Sequence, residues 1–98
     1  MTATQTLTFE QVVADNQETL TYLLDQDVTA LTPALLVEEL RTAGREFSDS
    51  FEQINQANGA ALTAAAALLS ETLTLPADDP DMPVLLGRAR MRLLDTEI

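Results

Sequence analysis

Three aspartates crowd the stretch PADDPDMP: Asp78, Asp79 and Asp81. Clustered carboxylates are the oxygen donors that calcium or magnesium needs. The stretch lacks the alternating acids, the central Gly and the closing Glu of an EF-hand loop. The plainer expectation is that these acids sit at the start of the following helix, where its positive end favours them. Arg88, Arg90 and Arg92 follow. Their guanidinium groups suit an acidic partner or a phosphate. Their plainer role is to frame an apolar stripe with alkyl stems and to answer the chain's own acids.

Most other chemistry lacks its residues. The chain has no Cys and no His, and all five bases are Arg. A disulfide framework, a thiolate zinc site, a thiol nucleophile and the usual neutral-pH acid/base group are therefore excluded. No Gly-rich phosphate loop is present, and no Ser has a base beside it. The carboxylate pairs Glu38–Glu39 and Asp78–Asp79 are adjacent in sequence and belong to no recognisable pocket motif. Neither catalysis nor a cofactor is expected, and no motif identifies a family.

Ninety-eight residues make one small domain, and 46% of them are apolar, enough for a core of Leu, Val and Ala. Sixteen acids against five bases leave a formal charge of −11. That field repels nucleic acid and anionic membrane, and it favours basic partners or simple solubility. Direct nucleic-acid binding and membrane association are not expected. The opening MTATQTLTFE has neither positive charge nor an apolar core segment, so it does not read as a secretory signal, and a cytoplasmic location is expected.

The elements are helical. Residues 1–7 read as frayed. Thr8 and Gln11 form a capping-box pattern that opens a helix over about 8–25. Phe9, Val12, Val13, Leu20, Leu23 and Leu24 share its core face, and only Asn16 interrupts them. Thr32-Pro33 starts the next element. From there one apolar stripe keeps its phase for nearly forty residues, through Leu36, Leu40, Phe47, Phe51, Ile54, Asn58, Leu62 and Leu69 to Leu73. The pattern predicts one long central helix over 33–74, with Gly44 as the place for a kink. Pro76 ends it. A last helix over 82–95 has Leu85, Leu86, Ala89 and Leu93 on one face.

A helix over 33–74 is about 63 Å long at 1.5 Å per residue. The two other helices together cover some 45 Å, which leaves about 18 Å of stripe exposed. Either the long helix folds back on itself near Gly44, or a second chain covers the remainder. The run NQANGAALTAAAALL, too short to span a bilayer, should be the most closely packed section, with small side chains on several faces. Asn58, within the stripe, either sets register between helices or sits wet at the core's edge. If it sets register, Asn58→Leu raises thermal stability and blurs the oligomeric state.

The expected fold is all-α: a small helical hairpin or bundle with one long, kinked or continuous central helix, completed by oligomerisation. The expected function is protein–protein interaction through helix packing, as an adaptor, chaperone or assembly factor. The expected partners are a second copy (a homo-oligomer, most simply a dimer) and another helical or basic protein. The interaction residues would be Leu40, Phe47, Phe51, Ile54, Asn58, Leu62, Leu69, Arg88, Arg90 and Arg92. The competing expectation is an acidic inhibitor or nucleic-acid mimic that occupies the basic groove of a DNA- or RNA-binding protein.

Overall fold

The first helix begins with a reciprocal pair of hydrogen bonds. Gln11 N–H donates to Thr8 Oγ1 and Thr8 N–H donates to Gln11 Oε1, both at 3.1 Å. Each satisfies a donor that a helix start leaves open. The computed structural model describes residues 7–96, and among these every regular element is helical. In order they are α1 (Phe9–Asp15), α2 (Gln17–Leu24), a 3₁₀ turn (Val28–Ala30), α3 (Pro33–Ser48), α4 (Gln53–Thr72) and α5 (Met82–Leu94). The expected fraying over 1–7 lies outside the described residues except at Leu7, which packs partly buried against the core.

The single helix expected over 8–25 is two. Asn16 separates α1 from α2, and the reason is local. Its backbone N–H turns to Val13 O at 3.1 Å, and its side-chain Nδ2 donates to Val12 O at 2.9 Å. The side-chain amide thus takes the carbonyl that a continuous helix would have given to the backbone N–H. The chain leaves α2 through Asp25, whose left-handed backbone (φ 55°, ψ 40°) a short polar side chain tolerates. Asp27 and Thr32 then cap the 3₁₀ turn and α3. Thr32 Oγ1 accepts from Leu35 N–H at 3.2 Å, and Pro33 occupies the first turn as its spacing predicts.

The long helix over 33–74 is also two, and the break is not at Gly44. Gly44 lies buried inside α3, and the turn is Asp49–Glu52. Ser50 holds that turn. Its N–H donates to Phe47 O at 3.1 Å, and its Oγ accepts from Glu52 N–H at 3.2 Å and from Asn55 Nδ2 at 3.1 Å. Its carbonyl accepts from Gln56 Nε2 at 2.7 Å. These bonds answer the open ends of both helices at once. The stripe kept its phase because four residues advance the count by about 40° beyond one full turn at 100° per residue. The interruption therefore hardly disturbs the pattern.

Folded back, α3 and α4 run antiparallel and supply each other's cover. Leu40 and Leu62 are both wholly buried. The α5 helix packs against α4, α1 lies against α5, and α2 lies against α3. The core joins Leu20, Leu36, Leu40, Leu62, Leu69, Leu86 and Leu93. Folding back removes the premise that a 63 Å helix must leave its stripe uncovered, so the length argument for a second chain no longer holds. In the Ala-rich run Ala61, Leu62, Ala65 and Ala66 are buried, on a helix that packs against both α3 and α5.

Candidate interaction surface

The ten residues singled out for interaction divide by depth. Leu40, Leu62 and Leu69 are wholly buried, and Asn58 is 3% exposed. They hold the chain against itself and offer nothing to a partner. Asn58 is not at a wet edge, and no buried side-chain polar atom among the described residues lacks a hydrogen-bond partner. Phe47 is partly buried against the core. Phe51, Ile54, Arg88 and Arg92 are on the surface. Arg90 spans from α5 to Asp15 of α1 at 3.5 Å, so it ties two elements of one chain. Of the stripe that periodicity picked out, Leu36, Leu40, Leu62 and Leu69 are buried, while Phe51, Ile54 and Leu73 are exposed.

Two surface features remain. One is the tip of the α3–α4 hairpin. Phe51 there is fully exposed and Ile54 beside it is 44% exposed. Glu46, Asp49 and Glu52 are exposed near neighbours of Phe51 in the chain, with Arg45 as the one base in that stretch. The hydrogen bonds of Ser50 fix the backbone on either side of Phe51.

The other is a shallow groove of about 830 Å³ between α4 and α5. Ala64, Ala67 and Leu68 form one wall, and Val84, Gly87 and Met91 form the other. Val84 is 49% exposed and Met91 57%. Arg88 and Arg92 line the groove with them, and no acid does. Neither arginine has an ion pair among the described residues. The α4 wall is bare for a sequence reason: from Gln53 to Ser70 the helix carries no charged residue.

The sequence reading found the inner face of α5 (Leu86, Ala89, Leu93) and missed this outer one. The signal was present. Val84 and Met91 are seven residues apart, on one side of a helix, with Gly87 between them.

Elsewhere the surface offers little chemistry. A cleft of about 330 Å³ separates α1, the 3₁₀ turn and α3, and its polar residues Glu10, Gln17 and Thr29 are all exposed. No group of three or more acids among the described residues is arranged to hold a metal ion. Asp78, Asp79 and Asp81 instead form a turn, where Asp79 Oδ1 accepts from Asp81 N–H at 2.8 Å; Asp81 precedes α5 without a side-chain cap bond. The environment of Asp27 pulls its carboxyl below the ordinary range. The Thr29 hydroxyl donates to it at 2.6 Å and the Thr29 N–H at 3.0 Å, and both favour the charged form.

Fold and surface define a small all-α protein built on an antiparallel helical hairpin, with a third helix leaving an apolar groove open on α4. No helix among the described residues is long and apolar enough to cross a membrane. The chain matches no family model, no curated protein and no solved structure.

Proposed function

We propose that this chain is a non-enzymatic protein–protein interaction module that receives another protein in the α4/α5 groove. One observation carries the reading. In a fold with its own core closed, Val84 and Met91 remain about half in water beside a row of Ala and Gly. A contiguous apolar surface with a charged rim is the usual form of a docking site. Small residues on α4 let a partner helix approach the backbone closely. Arg88 and Arg92 then orient it, as rim charges do. Adaptor, chaperone and assembly factor are the roles such a surface serves, with a second copy or another helical protein as the partner.

The mimic reading would use the carboxylates instead of the groove. It is weaker because α4, the longest rod in the molecule, has no acid between Gln53 and Ser70 to imitate a row of phosphates.

A photo-reactive phenylalanine analogue tests the groove. It is placed at Val84 in one variant and at Glu38, on the exposed side of α3, in another. Irradiation in the native cell should give a discrete protein adduct from position 84 and none from 38. Equal labelling at both positions, or none at 84, defeats the reading.

A further inference from the structure

The two surface features have opposite character and stand on one chain. The hairpin tip projects an aromatic side chain from a setting of three acids and one base, which leaves two negative charges: Glu46, Asp49 and Glu52 against Arg45. The groove is apolar and is lined by two arginines and no acid. An acidic tip with an exposed aromatic ring and an apolar groove with bases are complementary in sign.

They cannot meet within one molecule. Phe51 lies two residues before α4, and Ala64 lies on that helix eleven residues beyond its first residue, Gln53. The rigid helix keeps Ala64 about 16 Å from Gln53 at 1.5 Å per residue. Each surface therefore needs its counterpart from elsewhere.

From this geometry we infer that a second copy of the chain occupies the groove, inserting its Phe51 tip between α4 and α5 in a head-to-tail contact. The inference rests on the reading that the groove is the docking surface, and it names the occupant. Charge argues for this arrangement over the symmetric one. Groove against groove would bring four arginines into one interface, with Glu71 and Asp81, which line the adjoining cleft with Arg88, as the acids beside it. Tip in groove brings Glu46, Asp49 and Glu52 toward Arg88 and Arg92.

Preorganisation argues for it as well. The Ser50 bonds hold the tip in place before any partner arrives. Little backbone freedom is then left to lose on binding. Phe51 has two side-chain torsions to order, few for the apolar area it carries. A head-to-tail contact leaves a free tip at one end and a free groove at the other. Copies therefore add until a ring closes or a filament grows.

The test uses the full chain and two variants, each defective in a different half of the contact. Phe51→Ser blinds the tip, and Met91→Glu puts an acid into the groove. Both positions are exposed, so circular dichroism should show unchanged helix content in each. In sedimentation velocity at about 100 µM, enough to saturate a contact of micromolar affinity, the wild-type chain should exceed the mass of one chain. In a dilution series each variant alone should fall to the mass of one chain at a concentration at least about tenfold above that at which the wild type does.

An equimolar mixture should form a species of two chains and nothing larger, because only the intact groove of the first variant and the intact tip of the second can join. A wild-type chain that stays monomeric overturns the inference. So does a Phe51→Ser chain that associates like wild type, or a mixture that stays monomeric. If the wild type is monomeric but position 84 still crosslinks a different protein, the groove remains a docking surface and only the second copy is lost. If position 84 crosslinks nothing, both ideas fail together.

Discussion

Gly44 and Gly59 let α3 and α4 meet backbone to backbone. A Cβ on Gly59 would lie 2.7 Å from the Gly44 carbonyl oxygen and 2.6 Å from Ser48 N. A Cβ on Gly44 would lie 3.1 Å from the Gly59 carbonyl oxygen and 3.0 Å from Thr63 N. Glycine at Gly44 therefore serves the helix crossing and not a kink. The Ser50 turn brings the two glycines opposite each other, and they in turn allow the hairpin to close tightly.

The same substitution should have opposite signs at two glycines. Gly59→Ala gains about 1 kcal/mol of helix propensity but forces a methyl against backbone atoms that cannot rotate away, and overpacking of that kind costs about 1–3 kcal/mol. The net expectation is a lower Tm. Gly87→Ala meets nothing within 4 Å, so it should gain about 0.5–1 kcal/mol and raise Tm. Thermal melts of both variants decide this, and a stabilised Gly59→Ala would contradict the close crossing.

Asn16 should behave as a structural residue whose role is internal. It is 4% exposed, and its amide answers Val12 O. Asn16→Ala leaves a buried carbonyl short of a donor, at about 1–3 kcal/mol. A fall in denaturation midpoint with an unchanged association state is the expected result. An Asn16→Ala chain as stable as wild type would show that the break between α1 and α2 does not depend on this bond.

The arginines of α5 should separate by function. Arg90 faces Asp15 at 3.5 Å with both side chains well exposed, so its ion pair contributes no more than about 1 kcal/mol. Arg90→Glu should lower Tm slightly and leave association as it is. Arg88→Glu should leave Tm nearly unchanged and weaken association at least tenfold, about 1.4 kcal/mol. Sedimentation and melting of the two variants in parallel would expose any exchange of these roles.

Asp27 sets a small acid dependence with a defined sign. The Thr29 hydroxyl, and after it the Thr29 N–H, favour the carboxylate and lower its pKa in the folded chain. Its contribution is then fully present above the unfolded value of about pH 4 and is lost as pH falls through the lower folded value. The Asp27 carboxyl signal should titrate below the ordinary aspartate range by NMR. Asp27→Asn should lose its disadvantage against wild type as the pH drops through that window. A titration midpoint in the ordinary range would show that the Thr29 bonds do not persist in solution.

Several features were legible in the residues alone, because they rest on short-range chemistry. The capping pair Thr8–Gln11, the start at Thr32-Pro33, the stop at Pro76 and the inner faces of α3, α4 and α5 all follow from hydrogen bonds and periodicities that reach no further than one or two helical turns. The all-helical class followed from composition and pattern in the same way.

What only the tertiary structure decided is where the chain turns and which apolar side chains stay outside. A periodic pattern is counted modulo one turn, so a four-residue break at Asp49–Glu52 left it in step and Gly44 drew attention that belonged to Ser50. Asn16 looked like a single blemish on a stripe, because the choice between its backbone and side-chain donors depends on geometry. Leu62 and Met91 are both apolar helical residues. One is buried and the other is half in water, because burial depends on which neighbouring element lies alongside, and that is decided by the packing of the whole chain.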